Sequence, residues 1–95
     1  MTKPLESEIE GAFVKYAEAR GCYALKLRLD GRNGWPDRTV IGPEGLVMFA
    51  EFKRPGGKLR PMQRVWVKVL ESQGFVVIRP TRIGEAEAKL DELLR

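Results

Sequence analysis

The run of apolar residues at positions 46–53 is the feature that most constrains how this chain folds. It reads Leu-Val-Met-Phe-Ala-Glu-Phe-Lys and has turn-forming residues on both sides. A strand that is so continuously apolar is typical of the centre of a sheet, where other elements cover both faces. A chain of 95 residues can close one core of this kind. We therefore expect a single domain over residues 1–95.

Periodicity and turn residues predict the remaining elements. Apolar side chains recur at helical spacing over residues 4–20, and Gly21 follows where a C-terminal cap belongs. Residues 23–29 alternate between apolar and other side chains, which predicts a strand that buries Tyr23 and the leucines. The predicted helices are 4–20, 61–74 and 83–94, and the predicted strands are 23–29, 38–41, 46–53 and 75–78.

The order helix, strand, strand, strand, helix, strand, helix predicts an α/β fold. The turn at residues 42–45 would make a hairpin, and the second helix would cross over to a last strand near the centre of the sheet. The result is a mixed β-sheet flanked by helices. The second helix is expected to face the sheet with an apolar stripe of Met62, Val65, Trp66, Val69 and Leu70.

The residue types present exclude several kinds of chemistry. The chain has no histidine, which rules out Ser-His-Asp triads, Cys-His pairs and the usual zinc sites. Its single cysteine, Cys22, cannot form an internal disulfide and is expected to be a small buried apolar residue. Catalysis would have to use carboxylates and lysine, a combination that suits a hard cation such as Mg²⁺.

Positive charge is concentrated in the middle of the chain. From Lys26 to Lys68 there are ten Lys/Arg against four Asp/Glu, whereas the rest has seven against nine. A basic centre suggests a polyanionic partner such as nucleic acid, although an ordinary solvated surface is equally compatible with it. No apolar run approaches the about 20 residues of a membrane span, and the N-terminus lacks a secretory signal pattern. We expect a cytoplasmic protein.

Two carboxylates and a lysine form the candidate chemical centre. On a strand, Glu51 and Lys53 project from the same face, while Phe52 enters the opposite layer. Asp37 follows the turn-forming Pro36 at the start of the preceding strand. Taken separately, the first pair could be a surface salt bridge and Asp37 a turn residue. A hairpin would bring both carboxylates together, which favours a site for Mg²⁺ and an attacking water.

The same residues resemble a known nuclease motif. The letters PD at 36–37 followed by EFK at 51–53 resemble the PD-(D/E)XK motif. More narrowly, GWPD at 34–37, EFKRPGGKLR at 51–60 and Gln63 resemble the virus-type replication-repair nuclease domain, VRR-NUC. The resemblance spans nearly the whole chain. It implies a restriction-endonuclease-like fold that hydrolyses DNA phosphodiester bonds with Mg²⁺, or with Mn²⁺ as a substitute.

The resemblance also implies a role for each residue of the site. Asp37 and Glu51 would bind the metal, together with the backbone carbonyl of Phe52. Lys53 would position or deprotonate the attacking water and stabilise developing negative charge. Gln63 would hydrogen-bond to a water on the metal or to a phosphate.

A glutamate of the first helix belongs near the metal in this family. Glu10 is the better candidate than Glu6 because it lies deeper in the predicted helix. The alternative is that Glu10 only caps the helix, because Ser7 and Glu10 have the spacing of a capping box.

The expected substrate is branched DNA, such as a Holliday junction or a flap, cut by a structure-directed endonuclease that acts as a homodimer. In a phage-borne protein the location would be the host cytoplasm. The alternative is a non-catalytic nucleic-acid-binding module. Trp35 would either stack on an unpaired base or pack on the sheet. Residues expected to bind the phosphate backbone are Lys26, Arg28, Arg32, Arg38, Arg54, Lys58 and Arg60.

Overall fold

The apolar run at residues 46–53 contributes a central strand to a four-stranded sheet. The computed structural model of the chain describes residues 4–95, so the first three residues of the predicted domain lie outside it. The predicted order of elements and the α/β class are confirmed. The helices are α1 (Glu6–Glu18), α2 (Pro61–Ser72) and α3 (Glu85–Leu94), and the strands are β1 (Tyr23–Leu25), β2 (Arg38–Ile41), β3 (Val47–Ala50) and β4 (Val76–Ile78).

The sheet is mixed and has the strand order β1-β2-β3-β4. The first three strands are antiparallel, and β4 lies parallel to β3 after the crossover through α2. The predicted hairpin is present between β2 and β3, where Glu44 adopts a left-handed conformation with φ of 57°. The expectation that residues 75–78 lie near the centre of the sheet is wrong, because β4 pairs only with β3 and forms an edge.

Helices cover both faces of the sheet, as the apolar central strand requires. The face covered by α1 and α3 holds the larger core, which comprises Ile9, Phe13, Ala17, Cys22, Val40, Met48, Ala50, Phe52, Ala86 and Leu90. The face covered by α2 holds a smaller core of Phe49, Val67, Leu70 and Val77. Alternation along β3 therefore sends successive side chains into two different cores.

The first strand is shorter than predicted, and the prediction of which face it buries is wrong. It ends at Leu25, whose partner on β2 is Thr39. If the ladder continued, residues 26–28 would face residues 38–36, and Pro36 among these has no N–H with which to extend it. Tyr23 is 63% exposed, and the core is contacted instead by the half-buried Ala24.

The second helix is rotated relative to the predicted stripe. Val67 and Leu70 are buried against the sheet, whereas Met62, Val65 and Val69 are between 40% and 47% exposed. Trp66 is half-buried because its indole Nε1 donates to the carbonyl of Asn33, 2.9 Å away, in the loop before β2. This contact ties α2 to the loop as well as to the sheet and accounts for the rotation.

The first helix is capped by Glu8 and not by Glu10, the alternative that the sequence left open for Glu10. Glu8 accepts the N–H of Leu5 at 3.2 Å, so the Ser7–Glu10 capping box is wrong and the side chain of Glu10 is free for other contacts. Gly21 ends the helix region with φ of 76°, as expected for a C-terminal cap. Within residues 4–95 no helix combines the length and apolar character that crossing a membrane requires.

Candidate active site

The register of the hairpin places Asp37 beside Glu51. Arg38 pairs with Ala50 at the end of the ladder between β2 and β3, so the next residue outward on each side is one of the two acids. The Phe52 N–H donates to Asp37 Oδ2 at 2.9 Å, which holds the half-buried Asp37 side chain against the start of the EFK stretch. The predicted meeting of the two carboxylates therefore occurs.

The EFK stretch continues the course of β3 beyond its last strand residue. The N–H of Glu51 donates to the Ile78 carbonyl at 3.0 Å, and the N–H of Lys53 donates to the Pro80 carbonyl at 3.1 Å. These bonds keep the backbone extended, so side chains continue to alternate. Phe52 enters the core beneath α1, where its ring centroid is 5.8 Å from that of Phe13. The Glu51 side chain faces α2.

The Gln63 side chain reaches Glu51 from the first turn of α2. The backbone N–H of Arg60 donates to Gln63 Oε1 at 2.7 Å, which leaves the amide nitrogen to donate to Glu51 Oε1 at 3.2 Å. The start of α2 thus orients the side-chain amide of Gln63. Gln63 lies three residues after Arg60, the spacing at which a Gln side chain reaches back to the N-cap N–H, and this spacing is the sequence signal for the contact between Arg60 and Gln63.

Glu51 is an acid buried with a second acid beside it. Only 1% of its surface is exposed, and its Oε2 has no hydrogen-bond partner within residues 4–95. Burial, together with the neighbouring Asp37, raises the pKa of Glu51 to about 8, against smaller opposing effects of Lys53 and Arg60. An unpartnered carboxylate oxygen next to a second carboxylate is the donor set that a hard divalent cation prefers.

Glu10 lies on an ion pair that the sequence did not predict. Its Oε2 accepts from Arg38 Nε at 2.7 Å and is 3.7 Å from Lys26 Nζ, while Arg38 also donates to the Ala24 carbonyl at 2.8 Å. Among residues 4–95, no three Asp, Glu, Cys or His side chains are grouped closely enough to hold one metal ion. The structure therefore brings Asp37 and Glu51 together but leaves Glu10 with Arg38, and a metal-binding role for Glu10 stays a prediction.

Comparison with known proteins identifies the family. The family model of the VRR-NUC domain matches residues 13–79, which include Asp37, Glu51, Lys53 and Gln63. The chain belongs to the VRR-NUC family. A solved structure described as a VRR-NUC domain is similar to this chain with a TM-score of 0.82 and 30% identity, covering 92% of this chain and 94% of that one.

A phage protein is also similar to this VRR-NUC chain. It is p44 of Acyrthosiphon pisum secondary endosymbiont phage 1, which is named as a nuclease, and the two are 41% identical over 58 residues. The match covers 61% of this chain and 62% of p44, so the chain spans less than two thirds of that relative.

The predicted phosphate-binding residues of this VRR-NUC domain differ in how accessible they are. Arg38 is half-buried and engaged by Glu10 and the Ala24 carbonyl. The other six side chains are exposed: Lys26, Arg28, Arg32, Arg54, Lys58 and Arg60. The structure therefore leaves these six open to a polyanion, whereas Arg38 has an internal role.

Trp35 packs on the sheet, one of the two alternatives left open by the sequence. Its ring makes T-shaped contacts with Phe49 and Trp66, at centroid distances of 5.4 and 5.2 Å, and its Nε1 donates to Thr39 Oγ1 at 3.1 Å. With both its ring and its N–H engaged, Trp35 is part of the smaller core.

Gly34 lets the loop before Asp37 approach the start of α2. Its φ is 83°, and a Cβ built there would lie 2.6–2.8 Å from backbone and Cβ atoms of Met62. Only glycine fits at this contact. No pattern in the sequence predicts the cleft that results between this loop and α2, because the contact joins residues far apart in the chain.

Proposed function

We propose that this chain is a metal-dependent nuclease that hydrolyses DNA phosphodiester bonds with Asp37, Glu51 and Lys53. The observation that carries the proposal is the buried Glu51 carboxyl, whose Oε2 has no partner within residues 4–95 and whose neighbour is a second acid. Ionising a carboxyl that is buried in this way is costly unless a counter-charge arrives. A divalent cation would supply that charge.

The residues present fit Mg²⁺, with Mn²⁺ as a substitute. Asp37, Glu51 and the Phe52 carbonyl would hold the ion, since all three offer the oxygen ligands that hard cations prefer. When bound, the ion would polarise the phosphoryl group and lower the pKa of the attacking water. Metal binding would also displace the proton that Glu51, with its pKa near 8, otherwise retains at neutral pH.

The remaining side chains would act on the water and the phosphate. Lys53 is close enough to lower the pKa of Glu51, so its ammonium would lie beside the reacting groups. There it would orient the attacking water and neutralise charge that develops on the phosphoryl oxygens. Gln63, oriented by the Arg60 N–H, would keep Glu51 directed into the site.

Two observations support DNA as the substrate. Exposed basic side chains occur in the loops before β2 and after β3, close in sequence to both carboxylates, and would neutralise phosphates without reading sequence. The similar phage protein p44 is named as a nuclease. A small domain with few elements for base reading is better suited to branched DNA, such as a Holliday junction or a flap. Two symmetric cuts in a four-way junction would require a homodimer.

The test uses purified protein with end-labelled linear, flap and four-way-junction DNA, each with Mg²⁺, with Mn²⁺ or with EDTA. We expect metal-dependent cleavage that favours the branched substrates. Lys53→Ala should lower kcat by about 10²–10³-fold, since that is the usual effect of removing one group that stabilises transition-state charge. Lys68→Ala is the matched control, because Lys68 is an exposed lysine on α2.

Binding without cleavage of any substrate under either metal would instead support the non-catalytic nucleic-acid-binding module. Calorimetric titration of Mg²⁺ and Mn²⁺ tests the metal site separately, because unchanged affinity in Asp37→Ala would contradict the role of Asp37 as a ligand. Light scattering on the protein with and without junction DNA tests the homodimer.

A further inference from the structure

We propose that the cleft between residues 30–36 and the start of α2 binds the base of one unpaired nucleotide next to the scissile phosphate. This proposal rests on DNA being the substrate and adds the feature of branched DNA that the protein would recognise. We call this cleft the loop–helix groove. Its lining includes Arg32, Asn33, Arg60, Met62, Gln63 and Trp66.

The loop–helix groove is large enough for a nucleotide, and Met62 and Trp66 are large apolar side chains in its lining. It consists of two adjoining cavities of about 460 and 510 Å³, both lined by Asn33 and Met62. Met62 is 44% exposed, so its side chain is accessible to a molecule in the groove. Trp66 lies one helical turn further along α2 and lines the first cavity. A base has apolar faces that pack on such side chains.

Two arginines and one acid, Asp30, line the groove, so the balance of charge in its lining is positive and favours the phosphates of a nucleotide. The Arg32 guanidinium carbon is 5.7 Å from the centroid of the Trp66 ring, so a cation and an aromatic face border the first cavity together. Arg60 lines the second cavity. Both arginines are exposed and could contact the phosphates on either side of a bound base.

The groove is linked to the candidate active site through the side chain of Gln63. Gln63 lines the second cavity and also donates to Glu51. One side chain therefore forms part of the groove and contacts the carboxylate that is proposed to bind the metal. A strand whose scissile phosphate lies at Asp37 and Glu51 would therefore have its neighbouring nucleotide at Met62. A paired base could not enter, because it is stacked inside the duplex, whereas an unpaired base at a branch costs least to expose.

Flap DNA in which each nucleotide near the branch is replaced in turn by an abasic unit tests this inference. Binding is measured by fluorescence anisotropy in EDTA, so that no cleavage takes place. We expect removal of the base to weaken binding at least about fivefold at one position, the usual effect of losing one stacked base, and little at the others.

Protein variants locate the base in the groove. Met62→Ala should weaken binding of the intact flap at least about fivefold but should not weaken binding of the flap that lacks the critical base. Val65→Ala is the matched control, because Val65 is 47% exposed on the next turn of the same helix and lies outside the groove. Arg32→Ala is a second groove variant, exposed and therefore compatible with folding, which circular dichroism would verify for all three.

Two results would overturn the inference: equal binding of every abasic flap, or an equal loss in Met62→Ala on intact and abasic flaps. Cleavage assays on the same DNA separate this proposal from the nuclease proposal. Metal-dependent cutting that ignores the missing base would contradict the groove and leave the nuclease intact. Base-dependent binding without cutting under either metal would contradict the nuclease and leave the groove intact.

Discussion

The two faces of the sheet differ in what their side chains are used for. On the face covered by α1 and α3, every residue of the core is at most 2% exposed and all are apolar. On the face covered by α2, the buried Glu51 lies beside the smaller core and contacts the half-buried Gln63. The same helix leaves Met62, Val65 and Val69 exposed. One face supplies close packing, and the other carries the candidate active site.

The packed face of the sheet helps this protein to hold a buried acid on the other face. A carboxyl without a partner opposes folding, so other contacts must offset it. The larger core does so from the opposite side of the same strand, since Ala50 and Phe52 flank Glu51 in sequence and enter that core. The site is rigid because its backbone is the continuation of a strand that is packed on both faces.

Phe13→Ala is expected to have the largest effect, because it removes packing from the closed face. The Phe13 side chain is fully buried and contacts Phe52 directly. Its loss should lower the free energy of unfolding by about 3–5 kcal/mol, measured by urea denaturation. Phe75→Ala, on the α2 face, removes a ring that is 40% exposed and should cost about 1 kcal/mol. Equal losses would contradict the difference between the faces.

Gly34→Ala is expected to move the loop that carries Gly34 away from the start of α2, and so to separate the two walls of the loop–helix groove. Both the left-handed backbone and the contact with Met62 oppose a Cβ, so we expect a loss of about 2–3 kcal/mol in thermal or urea unfolding. Gly56→Ala is the matched control, because its φ is also 83° but a Cβ there would have nothing within 4 Å among residues 4–95. It should cost about 1 kcal/mol. Similar losses at both positions would show that the close approach to α2 contributes nothing.

Glu51→Gln is expected to stabilise the metal-free protein at alkaline pH by about 2 kcal/mol. Glu51 has a pKa of about 8 when folded, against 4.5 for an ordinary carboxyl, so the folded state binds its proton more tightly. The stability that this proton provides is complete below pH 4.5 and is lost as the pH rises through 8. Gln cannot lose a proton, so the variant keeps its stability.

Urea denaturation in EDTA at pH 5.5 and at pH 8.5 would measure this effect. Between pH 5.5 and pH 8.5 the free energy of unfolding should fall more in the wild type than in Glu51→Gln. Added Mg²⁺ should restore the stability of the wild type at pH 8.5 but should not change that of the variant. Parallel pH profiles for the two proteins would contradict the assignment of the high pKa to Glu51.

Glu10→Gln is expected to have the smallest effect. The pair with Arg38 is partly accessible, with each side chain 19% exposed, so its loss should cost less than about 1 kcal/mol. Calorimetric titration of Mg²⁺ decides the second question about this residue. Unchanged metal affinity would assign Glu10 to the ion pair alone, whereas weaker affinity would assign it to the metal site.

Much of the fold could be predicted because its signals are local. Helical spacing identified α1 through Ile9 and Phe13, the turn at residues 42–45 identified the hairpin, and the continuous run identified β3. The errors occur where neighbours in space decide. Tyr23 alternates correctly for a strand but lies on an edge, and the α2 stripe was misplaced because contacts with Asn33 and Trp35 helped to set the rotation of the helix.

The sequence by itself determined the residue types and their order. It placed one acid at each open end of a hairpin and a lysine two positions after the second acid, and antiparallel pairing then required the acids to meet. It also excluded histidine chemistry. The exclusion follows from composition alone. The meeting of the acids follows from short-range periodicity, which the backbone geometry of a strand or a turn imposes locally.

Only the tertiary structure decided which partners those residues have. It paired Glu10 with Arg38, gave the Asp37 carboxylate the Phe52 N–H, and left Glu51 Oε2 without a partner within residues 4–95. Burial and the direction of a side chain depend on every element packed around it. A carboxylate that could have been a surface ion pair thereby became a buried acid with a raised pKa, directed at the helix that carries Gln63.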